Sequence, residues 1–157
     1  MSVLGEAANP IASAAARSFS VEAEALVLTC IDCRFHDPQL AAALASHRLT
    51  VSDCDIVRLA GASLGVDLFA GWRDAFLFHV GFCVRNHGIR KVVILDHEGC
   101  GMYDAFDFPA TATEHRLHMD RVAQLVMDYF PSLRVSTGIM TLSHATKQTA
   151  RGALGFG

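Results

Sequence analysis

The chain has 157 residues, the size of one ordinary domain. It is 52% hydrophobic and 18% charged, with 13 basic against 16 acidic residues. That is too apolar for a disordered chain and too weakly charged for a nucleic-acid binder that works by bulk charge. No window supplies the ~18–20 uncharged apolar residues of a membrane span, so no membrane association is expected. The first residues lack the basic and apolar regions of a secretory leader. Five cysteines are an odd number in a domain that needs no staples, which points to free thiols in the cytoplasm. With eight histidines beside them, a soft metal such as zinc becomes a candidate cofactor.

In chain order, Pro10 opens a short predicted helix through Phe19, inside an N-terminal arm of residues 1–24. Residues 25–31 are an apolar run of strand length. Residues 36–48 read as a helix, with Asp37 as cap and Pro38 in the first turn. Residues 55–59 form a second strand that runs into the turn-prone stretch 60–65. A long helix is predicted over 67–87, with Phe69, Trp72, Phe76, Val80 and Val84 inward and Gly88 as its stop. Residues 91–96 are an almost wholly apolar third strand, as in a parallel sheet covered on both faces. A helix over 113–130, with Leu117, Val122, Leu125, Val126 and Tyr129 inward, ends at Pro131. His115 and His118 fall on its solvated face. Residues 133–142 give a fourth strand, and 143–157 a tail. Alternating strands and helices predict an α/β domain over 25–142 with a mostly parallel central sheet flanked by helices.

Two clusters fall at the carboxyl ends of predicted strands, where such folds place their ligands. The first is Cys30-Ile31-Asp32-Cys33-Arg34 and the second His97-Glu98-Gly99-Cys100-Gly101. Extended backbone would project Cys30, Asp32 and Arg34 to one side and turn Ile31 and Cys33 away. Cys30, His97 and Cys100 make a Cys2His set, an arrangement used by catalytic zinc sites with the fourth position open. Asp32 can fill that position or hold a water there, and Arg34 competes for Asp32 through charge-assisted hydrogen bonds. Two other readings stay open. Cys30 and Cys33 spell a redox Cys-x-x-Cys, and Cys30, Cys33, His97 and Cys100 can form a closed structural zinc site. His36 and Glu98 border the clusters; a solvent-facing His36 is the simpler reading, and Glu98 can serve the pocket or face solvent. Cys54 and Cys83 read as ordinary residues, Cys83 buried on a helix.

The order Cys-x-Asp-x-Arg, then Val57-Arg58-Leu59-Ala60-Gly61, then His-x-x-Cys-Gly resembles the β-class carbonic anhydrases over about residues 25 to 101. Leu59 stands where that family usually carries Asn. The resemblance implies a zinc ion held by Cys30, His97 and Cys100, with Asp32 and Arg34 as a catalytic dyad. It implies reversible hydration of carbon dioxide to bicarbonate, and a homodimer or higher homo-oligomer with the arm packed on a neighbour. A hydrolase of carbonyl sulfide or carbon disulfide, or a zinc protein without turnover, would carry the same motif.

Overall fold

The computed structural model describes residues 21–142, so the predicted helix over 10–19 and the tail over 143–157 lie outside the described residues. The core is one sheet of four parallel strands: β1 (Ala25–Thr29), β2 (Cys54–Arg58), β3 (Lys91–His97) and β4 (Arg134–Met140). Their order across the sheet is β2-β1-β3-β4. The helices are α1 (Asp37–Ser46), α2 (Ser63–Leu68), α3 (Ala70–His87), α4 (Gly101–Ala105) and α5 (Ala112–Tyr129). The domain is therefore α/β, with a wholly parallel sheet flanked by helices. No described helix is long and apolar enough to cross a membrane.

Strand alternation sorts the side chains of the central strands into two layers. Leu26, Leu28, Val92 and Ile94 pack with Leu64 and Val66 of α2, Phe76 and Val80 of α3, and Met119, Val122 and Val126 of α5. Ala25, Val27, Val93 and Leu95 pack on the other side with Leu40 and Leu44 of α1, Phe35 and Leu49. Both faces are dry, which is why these strands read as unbroken apolar runs rather than alternating ones.

The structure departs from the sequence reading at several points. The helix expected over 67–87 is two helices that meet at Phe69, whose backbone is extended (φ −105°, ψ 114°). Phe69 packs against Trp72 and Phe106, with ring centroids 4.9 and 5.5 Å away. A Cβ on Gly65 would lie 2.7 Å from the Trp72 ring and 2.5 Å from the Ala60 carbonyl oxygen, so this corner closes only around glycine. Asp37 sits inside the first turn of α1, and His36 takes the cap position. The inward stripe of α5 is also rotated. Leu117 and Tyr129 are exposed, while His115 and His118 are each 1% exposed. Carboxylates waiting inside explain the rotation: His115 Nδ1 lies 2.9 Å from Asp96 Oδ2, and His118 Nδ1 lies 2.7 Å from Asp67 Oδ2. A buried imidazole with such a partner avoids the desolvation penalty that would hold it outside.

Candidate metal centre

Parallel pairing of β1 with β3 sets Thr29 opposite Leu95, so the residues that follow both strands emerge side by side. Cys30 is the first residue past β1 and is buried. His97 is the last residue of β3 and is 1% exposed. Gly99, with φ +64°, turns the chain back so that buried Cys100 caps α4. One donor atom from each of Cys30, His97 and Cys100 lies within 4.8 Å of the other two.

The two sulfurs are 4.0 Å apart. A disulfide needs ~2.05 Å, whereas two thiolates on a tetrahedral ion with bonds of ~2.3 Å stand about 3.8 Å apart. The imidazole is preset in the same sense. His97 Nδ1 faces the Glu98 carbonyl oxygen at 2.9 Å; a carbonyl only accepts, so Nδ1 carries a proton, and in the neutral ring Nε2 is the nitrogen with the lone pair. His97 Nε2 is buried with no hydrogen-bond partner among the described residues. A metal ligand whose other nitrogen is fixed by a carbonyl shows this arrangement. Phe35 stacks on the imidazole with centroids 4.2 Å apart and holds its plane. The donor set and the orphaned nitrogen together fit a zinc ion.

Neighbouring groups favour charge on the sulfur. Cys30 is held below the ordinary thiol range by hydrogen bonding from Cys100 above all, against burial, with His97 and backbone amides adding to the effect. One of those amides is that of Gly61, 3.4 Å from the Cys30 sulfur. Facing that thiolate, Cys100 is pushed up. Burial, the largest influence on His97, opposes its protonation, but the Cys30 thiolate and the Glu98 carbonyl outweigh it and the group is raised. Gly61 has φ +73°, and a Cβ there would meet the Met102 side chain at 2.9 Å. The stretch 60–65 thus serves the site by delivering a backbone amide to sulfur, a role its sequence did not disclose.

Asp32 and Arg34 do stand together, though by a different route from continued extended backbone. β1 ends at Thr29, and Asp32 caps a 3-10 turn (Cys33–Phe35), accepting from the Arg34 amide at 2.9 Å. The guanidinium grips both carboxylate oxygens, Nε at 3.0 and 3.1 Å and Nη2 at 2.5 Å, and Nη2 also donates to the Gly99 carbonyl at 3.0 Å. Arg34 therefore ties the first motif to the second. Its guanidinium beside Asp32 lowers that carboxyl below its usual range, and Asp32 raises Arg34 in turn. Asp32 Oδ2 reaches within 3.7 Å of His97 Nε2, but Asp32 is not among the three residues whose donors are mutually within 4.8 Å. Cys33 is exposed and also outside that set, which disfavours the closed four-ligand site and leaves no partner sulfur for Cys-x-x-Cys chemistry at Cys30 other than Cys100. His36 is exposed, as the simpler reading had it. Glu98 serves structure as well: its Oε1 accepts from the Leu142 amide at 2.8 Å.

Behind the site, buried Asp96 accepts from the Ser63 amide and hydroxyl at 3.1 and 2.7 Å, and from the Tyr103 hydroxyl at 3.1 Å. His115 completes its shell. This network, with one histidine expected in solvent, joins β3, α2, α4 and α5 behind Cys30, His97 and Cys100, and His118 makes a separate pair with Asp67 of α2.

No family model matches the chain, and no solved structure matches it. It is similar to an uncharacterized protein of Rickettsia conorii (strain Malish 7), with 26% identity over 136 residues that cover 81% of this chain and 72% of the relative.

Proposed function

We propose that this chain is a zinc enzyme of the β-class carbonic anhydrase type, in fold and in activity, that reversibly hydrates carbon dioxide to bicarbonate. The observation that carries the reading is the juxtaposition of a buried Cys2His set, its histidine nitrogen unpartnered, with an arginine-clamped carboxylate 3.7 Å from that nitrogen. Zinc held by Cys30, His97 and Cys100 would acidify a water, less strongly than on three histidines because two thiolates offset the charge of the ion. The chain's own residues do the rest. Asp32, kept ionised by Arg34, accepts a hydrogen bond from the reacting water and orients it toward carbon dioxide. With both its oxygens engaged by the guanidinium, Asp32 is restrained from closing onto the ion. Phe35 shields the ligand imidazole on one side. Water and carbon dioxide give bicarbonate and one proton, which passes to solvent.

Stopped-flow carbon dioxide hydration on protein of measured zinc content tests this, and activity is expected to rise with pH above neutrality. A flat or falling profile in zinc-loaded protein would refute it. Turnover of carbonyl sulfide without that of carbon dioxide would reassign the substrate. A homodimer or larger homo-oligomer belongs to the same proposal. It is supported by β2, an edge strand whose five residues are all half-buried, and by exposed Phe78 and Phe82 on α3. Light scattering of a monomer would contradict it.

A further inference from the structure

The opposite end of the sheet carries a second group of metal-binding side chains. Asp55 is the second residue of β2, paired in register with Leu26 near the start of β1. Cys83 and His87 lie one turn apart near the end of α3, which crosses the same edge. One donor atom from each of the three lies within 4.8 Å of the other two. His87 Nδ1 and Asp55 Oδ2 are 2.7 Å apart, and Cys83 is 5% exposed. The chain reaches this cluster from two sides. Asp55 and Cys83 line a cleft of about 450 Å³, and His87 lines another of about 520 Å³. In the single chain the side chains of His87 and Asp55 keep 23% and 25% of their exposure, and the cleft beside His87, lined by Glu22, Asp53 and Lys91 rather than by β2 or Phe82, gives an ion a way in even where a second copy covers the β2 edge.

We propose that Asp55, Cys83 and His87 form a second metal site, selective for a borderline divalent ion of the zinc class. The chemistry of the donors sets that class. One sulfur, one imidazole nitrogen and one carboxylate oxygen suit zinc or cobalt, while magnesium and calcium take oxygen ligands. Three protein donors leave a fourth position for water or a small anion from the cleft. Binding needs little rearrangement. On a tetrahedral ion the nitrogen and oxygen stand about 3.3 Å apart, so the histidine and aspartate must part by roughly 0.6 Å. On binding, the Cys83 thiol proton leaves to solvent and the ring proton of His87 resides on Nε2, so that the thiolate, the Asp55 carboxylate and His87 Nδ1 each turn a lone pair to the ion. Without metal, burial and the Asp55 carboxylate push the Cys83 thiol up to about 12, and the cluster is a hydrogen-bonded set built around a thiol.

Equilibrium dialysis of the full chain against zinc, with cobalt as spectroscopic probe, tests the site. Wild type is expected to hold two equivalents. Cys83→Ser and His87→Gln should each hold one, while His79→Ala, altered in the same cleft, should keep two. Far-UV circular dichroism and denaturation midpoints establish that each variant is folded, and His87→Gln, at a half-buried position, is the variant least disturbing to the core. Independence from the site at Cys30 is read in Cys30→Ser/Cys100→Ser. That variant should bind one cobalt, with a charge-transfer band from a single thiolate. If it binds none, or if Cys83→Ser still binds two, the second site is refuted. If wild type binds one ion that is lost in Cys83→Ser yet kept in Cys30→Ser/Cys100→Ser, the second site stands and the reading of the first one falls.

Discussion

Replacing Asp96 by alanine tests whether Cys30, His97 and Cys100 rest on a buried polar network. Asp96 is 2% exposed and accepts four hydrogen bonds, two from Ser63 and one each from Tyr103 and His115. The hydroxyls of Ser63 and Tyr103 can rotate to seek other acceptors. The Ser63 amide and His115 Nδ1 cannot, since a helix start fixes one and the packed ring of Tyr103, 4.1 Å from that of His115, fixes the other. Two stranded donors at ~1–3 kcal/mol each give a loss of about 4 kcal/mol, the range found for breaking a buried pair. For a chain of this size that lowers Tm by roughly 8–16 °C. Asp96→Asn keeps one acceptor oxygen but turns an NH2 group toward a donor, so about 2 kcal/mol is expected. Tyr103→Phe removes one bond with its donor and should cost about 1 kcal/mol. Urea unfolding at matched zinc content gives all three values. A loss below ~1 kcal/mol for Asp96→Ala, or a larger loss for Tyr103→Phe than for Asp96→Ala, would refute the reasoning.

Three further outcomes are expected. Cys100→Ser should lose the ion held with Cys30 and His97, one of two equivalents by elemental analysis, while remaining folded; full metal content would remove Cys100 from the ligand set. Arg34 lowers Asp32, so the pair stabilises the fold above the unfolded carboxylate range near ~3.9 and loses that contribution as pH falls through the folded value. Both side chains are partly exposed, so the contribution is on the order of 1 kcal/mol; Arg34→Ala should flatten the acid limb of the stability curve by that amount and reduce hydration activity, and an unchanged limb would refute the clamp. Gly65→Ala should destabilise by about 2–3 kcal/mol in thermal unfolding, because its Cβ meets a backbone carbonyl that cannot yield. Gly99→Ala has open space but φ +64°, so only about 1 kcal/mol is expected there, and equal losses would mean that crowding is not what selects Gly65.

The architecture was legible because doubly covered parallel strands leave a plain mark: Val92 to Leu95 admit no other reading than a buried run. The placing of Cys30, His97 and Cys100 at strand ends followed from the same pattern. Strand alternation also turned Cys33 outward, although the backbone there is a tight turn rather than extended chain. The phase of α5 was misread because periodicity treats histidine as polar and cannot see Asp96 and Asp67 arriving from other elements. The break at Phe69 is decided by Gly65 against Trp72, a contact between helices that no window along the chain contains. Asp55, Cys83 and His87 escaped for a related reason. Cys83 and His87 have helical spacing, but Asp55 joins them only once β2 has packed under α3.

The hydrogen bonds of Glu98 bear on how the protein can be handled. Its amide donates to the Met140 carbonyl at 2.9 Å, and its carboxylate receives the Leu142 amide. Since the Glu98 carbonyl also fixes His97, the last residue of β4 and Leu142 just past it act together as a tether on that imidazole. A shortened version ending at Met140 would keep all four strands and Cys30, His97 and Cys100, yet lose the Leu142 half of that tether. Truncations and fusion junctions therefore belong beyond Leu142, and a tag placed closer would be felt first as looser metal retention rather than as loss of folding.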